Sequence, residues 1–185
     1  MSNTYISNDP FSTNYQEPQA TSQGNYTRLE QGANNILILS NAIAGYEFWT
    51  DTTDKEGKAK RQANRCRFDE LPEGEKAKIF YAMAVYNFNT KKIEIFSTTV
   101  RDIKDGLVAI KKNEDLKDPQ DYKITITKSQ ANPNDPMTTS YRLQHTREME
   151  PSIGIASQFD GLDLNLELLY TDKDPFEGKS NPTVQ

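Results

Sequence analysis

The sequence predicts a mainly β protein, a small barrel with one helix set between its strands. Three features carry that reading. Aromatic and β-branched residues cluster or alternate with polar ones over strand lengths, as in Gly45–Thr50 and Tyr122–Lys128. Thr99–Lys112 instead repeats its apolar residues at spacings of three and four. Strand patterns both precede and follow that stretch, an order that suits a small β-rich barrel.

Taken in order, residues 1–25 are rich in Ser, Thr, Asn and Gln, hold Pro10 and Pro18, and read as a disordered tail. The folded domain is expected over 26–149. Within it Asn35–Leu39, NILIL, is an apolar run of strand length, and Gly45–Thr50 is an aromatic strand. Asp51–Gly57 makes a polar turn, from which Ala59–Phe68 returns as a strand. Lys78–Ser97 forms a hairpin. Pairing Val85 with Ile95 and Asn87 with Ile93 leaves Phe88–Lys92 as its turn. That register puts Ile79, Tyr81, Met83, Val85, Ile93 and Ile95 in the core. It lines the opposite face with Phe80, Ala82, Ala84, Tyr86, Phe88, Glu94 and Phe96.

The helix over Thr99–Lys112 buries Val100, Ile103, Leu107 and Ile110. Thr98 or Thr99 caps it, Asp102 sits in its first turn, and Lys111 and Lys112 close its last. Asp118-Pro119 marks a turn. Tyr122–Lys128 follows as a half-buried strand with Tyr122, Ile124 and Ile126 inward. Asn132–Pro136 is a loop and Ser140–Leu143 a last strand. Residues 150–185 form an acidic C-terminal tail. In it Phe159–Tyr170 sets leucines among acids, as a short strand or partner-docking segment, and disorder is expected from Thr171.

A chain of 185 residues with 35 % hydrophobic content suits one modest core with disordered flanks. No apolar run approaches the ~20 residues a membrane-crossing helix needs. MSNTYISNDPF has neither the basic start nor the apolar stretch of a secretion signal. Cys66 is the single cysteine, so no disulfide forms within the chain, and the single His145 cannot complete a zinc site with it. A cytoplasmic protein without membrane, metal or cofactor is expected. Catalysis has little support: GxGxxG, GxxxxGK[ST] and HExxH are all missing, and a triad could draw only on His145. Asp69, Glu70, Glu73 and Glu75 lie with Pro72 and Gly74 and read as a loop, not a metal cage.

The net charge of −5 hides a segregation. Residues 26–149 hold 20 Lys and Arg against 18 Asp and Glu, whereas 150–185 hold two lysines against seven acids. A slightly basic body with an acidic tail is compatible with a polyanionic partner. The basic segment Lys55–Arg67 carries Lys58, Lys60, Arg61, Arg65 and Arg67 beside an aromatic strand. Such a run repels itself unless a polyanion relieves it. Rings that stack on bases and cations that replace phosphate counterions are what unpaired nucleic acid requires. Phe80, Tyr86 and Phe88 are the candidate stacking rings, with Lys91, Lys92, Lys123, Lys128 and Arg142 as rims. Trp49 lies across the strand from Tyr46 and Phe48; large buried area favours the core for it, with base stacking as its second reading. Cys66, inside the basic segment, could have a lowered thiol pKa, although a plain structural cysteine is the simpler expectation.

The ordered series YTRLEQGANNILILS (Tyr26–Ser40), GYEFW (Gly45–Trp49), FYAMAVYNFNTKKIEIF (Phe80–Phe96), a helix, and DPQDYKITITK (Asp118–Lys128) resembles the OB-fold single-stranded DNA-binding proteins of bacteriophages. It covers roughly residues 26–145. The resemblance implies a five-stranded OB barrel and a protein that coats exposed DNA during replication, recombination or repair without chemistry. It also implies replication or recombination proteins as partners of the acidic tail. Two departures stand out. IEIFSTTV replaces a more polar Thr-Gln ending before the helix. The nearest match to the aspartate-rich Pro-Phe tip of bacterial single-strand binders, Asp172–Phe176, lies short of the end, and a second Asp9-Pro10-Phe11 lies near the start. A protein-interaction or virion-associated β-barrel and an RNA-binding OB domain are the alternatives. The charge segregation further suggests that the acidic segment folds back on the basic groove when DNA is absent.

Overall fold

The computed structural model describes residues 25–53, 57–132 and 134–176; the expectations for residues 1–24 and for Lys55 fall outside them. Among the described residues seven strands build one antiparallel sheet: β1 (Gly32–Ile38), β2 (Ile43–Thr53), β3 (Ala59–Cys66), β4 (Ala77–Asn87), β5 (Lys92–Thr98), β6 (Tyr122–Gln130) and β7 (Thr139–Glu148). The pairing order is β3-β2-β4-β1-β6-β7, with β5 on β4. The mainly β expectation holds. A five-stranded barrel is not what forms, because β3 and β7 lie at opposite ends of an open sheet.

β1 and β2 lie end to end along one edge of β4. β2 pairs with Ala77–Ala82 and β1 with Val85–Asn87, while β5 takes the other edge. At the break between them Leu39 N donates to Ala84 O, and Ala84 N finds Ser40 Oγ at 2.9 Å. The backbone groups of β4 thus stay paired where its neighbour changes.

The β4–β5 hairpin corrects the expected register by one residue. Val85 faces Glu94 and Asn87 faces Lys92, with Phe88–Lys91 as the turn. Lys91 adopts φ 57°, and its N–H reaches Asn87 O at 2.7 Å. A one-residue slip exchanges the faces of the whole strand. Phe96 therefore joins Met83 and Val85 in the core, and Ile95 joins Phe80 and Ala82 on the other face. Glu94 is buried, with its carboxylate accepting from Asn87 Nδ2 at 2.8 Å and Thr90 Oγ1 at 2.6 Å. That closed polar network lets an acid occupy a core position.

Helix α1 (Arg101–Lys112) covers one face, burying Ile103, Leu107 and Ile110 against Ile36, Ile38, Met83, Val85, Phe96, Tyr122, Ile124 and Ile126. Gly106 belongs here for steric reasons: a Cβ would sit 3.1 Å from Cβ of Leu143 on β7. Val100 rather than a threonine takes the cap position, although Thr98 Oγ1 accepts from Val100 N at 3.1 Å.

The opposite face is covered in its middle by the C-terminal segment. After a short helix α2 (Ile153–Asp160), a 3-10 helix at Leu166–Thr171 presses Leu166 and Leu169 onto Phe80, Ala82 and Ile95. The strand expectation is overturned here, as is disorder over residues 171–176; the expectation for 177–185 lies outside the described residues. Leu166 and Leu169 work at helical spacing, and the chain continues to a buried Pro175 and to Phe176 at the margin of the same cluster. Burial of each leucine stabilises the seated segment by at most about 1.5–3 kcal/mol.

Candidate nucleic-acid interface

Residues directly opposite across paired strands share a face. The registers therefore place Arg61 and Arg65 of β3, Glu47 and Trp49 of β2, Lys78, Phe80 and Tyr86 of β4, Lys123 of β6 and Arg142 and Arg147 of β7 on the face away from α1. The C-terminal 3-10 helix crosses its centre and leaves an aromatic patch at either end.

At the β2–β3 end Trp49 is 48 % exposed, with the Arg61 guanidinium 6.0 Å from its ring centroid. The core expectation for Trp49 is corrected: its face lies beyond the reach of the covering segment. Trp49, Arg61, Lys76, Lys78 and Glu47 line a cleft of about 390 Å³. Lys76 and Lys78 were not among the candidates; the Glu47–Lys78 pairing brings Lys78 onto this face.

At the β6–β7 end Tyr86 and Phe88 meet edge to face at 5.1 Å, and Lys123 Nζ lies 5.2 Å over Phe88. Arg147 stands opposite Lys123 and Arg142 opposite Thr127. Arg147 was also missed, because the sequence pattern ended the last strand at Leu143. Among the described residues, Lys76, Lys78, Lys123, Arg142 and Arg147 make no ion pair.

The centre is built differently. Phe80 is fully buried, which corrects its reading as an exposed stacking ring. The Arg65 guanidinium lies 5.2 Å over it and is itself held by Glu47, at 3.0 Å in a partly buried pair. Arg67 Nη2 donates to Glu167 at 2.6 Å, Nη1 meets Glu70 at 3.4 Å, and the guanidinium sits 5.0 Å over Tyr170. The hydrogen bond and charge of Glu167 hold the Arg67 guanidinium above its ordinary pKa. Burial, then Glu167, raises the Tyr170 phenol. Gln62 Nε2 donates to Asp172 at 2.8 Å, a second tie between β3 and the acidic segment.

The basic run is therefore not one surface. Arg61 and Arg65 alternate with Lys60, which pairs opposite Thr52 on the other side; Lys58 precedes the strand. Arg61 meets Asp51 at 3.5 Å, so Arg61, Arg65 and Arg67 each have a carboxylate neighbour, which relieves their part of the expected self-repulsion within the chain. Lys128 lies on the helix side, its Nζ donating to Leu29 O at 3.0 Å. Lys91 and Lys92 stand at the hairpin turn, where with Asn25, Ile93, Gln158, Leu162 and Phe176 they line a separate cavity of about 420 Å³. Burial, then Glu70 and Asp69, raises the Cys66 thiol, opposite to the lowering that its basic neighbours suggested.

Among the described residues no cluster of three or more His, Cys, Asp or Glu is placed to hold a metal, and no helix is long and apolar enough to cross a membrane. Comparison with protein-family models, curated proteins and solved structures finds no match for this chain.

Proposed function

We propose that the chain binds single-stranded DNA along the face away from α1, without catalysis or sequence specificity. The observation that carries the reading is the coincidence on one sheet face of accessible rings and of cations that have no ion-pair partner among the described residues. Trp49 stands with Lys76 and Lys78 at one end; Tyr86 and Phe88 stand with Lys123, Arg142 and Arg147 at the other. A base stacked on an aromatic side chain contributes about 1–3 kcal/mol whatever its identity, and each cation releases phosphate counterions. The ordered resemblance to OB-fold phage proteins supports a role in coating DNA exposed during phage replication, recombination or repair, in the cytoplasm of the host. An OB-like origin remains part of this proposal, with the open sheet as its departure. The acidic segment seated across the face fits the fold-back expectation, and it is the candidate contact for replication or recombination proteins. Titration of an oligonucleotide against Trp49 fluorescence tests the reading: salt-sensitive quenching supports it, and no binding at low salt rejects it. RNA in place of DNA is decided by the same titration with an oligoribonucleotide.

One observation favours a second reading, a protein-interaction module. On the helix side Tyr46 stands opposite Ile79 and meets Phe68 edge to face at 5.1 Å; Ile79 and Phe68 are 41 % and 51 % exposed. Apolar groups left open beside each other mark contact surfaces more often than chance. Binding that depends on Phe68 and not on Trp49 would favour this reading.

A further inference from the structure

The ring of Tyr170 sits in a slot made for a flat aromatic group. Its floor is the backbone at Gly45, where an added Cβ would come within 2.3 Å of Cys66 O, 2.9 Å of Tyr170 Cε1 and 3.1 Å of Phe80 Cε1. Its wall is Phe80, whose centroid lies 6.0 Å from that of Tyr170 at 63°. Its lid is the Arg67 guanidinium, 5.0 Å over the Tyr170 ring. At the inner end the Tyr170 hydroxyl donates to Ala44 O at 2.8 Å. The ladder with β3 stops at Tyr46, leaving that carbonyl beyond its end. A ring edge against one aromatic, a guanidinium over its face and a single donor aimed at a fixed acceptor are also the contacts that hold an unstacked nucleobase.

Resting on the reading above, we propose that this slot is a nucleobase subsite, occupied by the chain's own Tyr170 when no strand is bound. An exocyclic amine or ring N–H of the incoming base takes over the donation to Ala44 O, and its ring takes the place of the phenol beside Phe80. Arg67, released from Glu167, turns to the strand's phosphate. The position joins the two outer patches, since Gly45 and Phe80 lie between Trp49 and Tyr86 on the same face. A strand running from one patch to the other passes over the slot.

The occupant reduces apparent affinity by the factor with which the seated state outnumbers the open one. In the full-length chain Tyr170→Ala is expected to bind a deoxyadenosine oligonucleotide roughly tenfold more tightly. Tyr170→Phe, which keeps the ring and loses the donor, is expected to gain roughly two- to threefold. An abasic oligonucleotide of equal length separates a base subsite from simple release of charge, because it should show no such gain. Ultraviolet cross-linking mapped by fragmentation to Phe80 itself, and not to Tyr86 or Phe88 of the same tryptic peptide, should rise in either variant, which covers the case of a poorly folded Tyr170→Ala. Equal affinities for wild type and both variants, or an equal gain with the abasic strand, would overturn the subsite while leaving single-strand binding intact. Failure of wild type and variants alike to bind any strand at low salt would instead remove the reading on which it rests.

Discussion

Arg67 Nη2 donates to Glu167 at 2.6 Å, joining the strand end that carries the basic run to an acid of the C-terminal segment. The pair is exposed, so its strength depends on ionic strength. Glu167→Gln is expected to tighten oligonucleotide binding about two- to threefold at low salt and to have no effect at high salt, as one nearby like charge to the phosphates is removed. Anisotropy titrations at two salt concentrations check this; a gain that persists at high salt would contradict it.

Phe80 and Trp49 are expected to separate stability from binding. Phe80→Ala removes a fully buried ring under the C-terminal segment and should cost about 3–5 kcal/mol in urea unfolding. Trp49→Ala removes a half-exposed ring, should leave the urea midpoint nearly unchanged, and should weaken single-strand binding by about 1–3 kcal/mol. A lowered urea midpoint for Trp49→Ala and an unchanged one for Phe80→Ala would contradict this, placing Trp49 in the core and Phe80 at the surface.

The difference between these two rings was not legible in the sequence. Both lie on alternating strands, and alternation reports which residues share a face, not which stretch of that face another segment covers. The β6 pattern of Tyr122, Ile124 and Ile126 and the α1 spacing of Ile103, Leu107 and Ile110 were read directly, because one period explains each. The hairpin register failed for a different reason. Hydrophobic matching favours Val85 with Ile95, whereas the four-residue turn through Lys91 and the buried Glu94–Asn87–Thr90 network fix Val85 against Glu94. Leu164, Leu166 and Leu168 likewise imitate a strand until Leu169 and Tyr170 are seen to share the contact made by Leu166.

Cations on the proposed face should control salt dependence, and those off it should not. Lys123→Ala, Arg142→Ala and Arg147→Ala are each expected to lower the slope of log affinity against log salt by about 0.7, the increment of one phosphate contact on a single strand. Lys60→Ala and Lys128→Ala, on the other side of the sheet, should leave the slope unchanged. Slopes that respond equally to both groups would show that no particular face is used.

Cys66 should be inert in the native chain. It is buried, and burial followed by Glu70 and Asp69 holds its thiol above the ordinary value. The folded state keeps this proton to higher pH than the unfolded chain does. The associated stability is present below the ordinary thiol pKa and is lost as pH rises through the raised folded value. Reaction with a disulfide reagent at pH 8 is expected to be slow in buffer and fast in urea. Fast reaction in buffer would mean that the β3 end opens readily.

Trp49 is the only tryptophan in the chain, so its fluorescence reports on one end of the proposed face without labelling. A mixed-sequence deoxyoligonucleotide titrated at low and at high salt is the most direct measurement. Saturable quenching with micromolar or tighter affinity, weakened steeply by salt, is expected, and anisotropy should show Trp49→Ala binding more weakly by about 1–3 kcal/mol. An unchanged signal at low salt together with unchanged anisotropy would contradict single-strand binding outright.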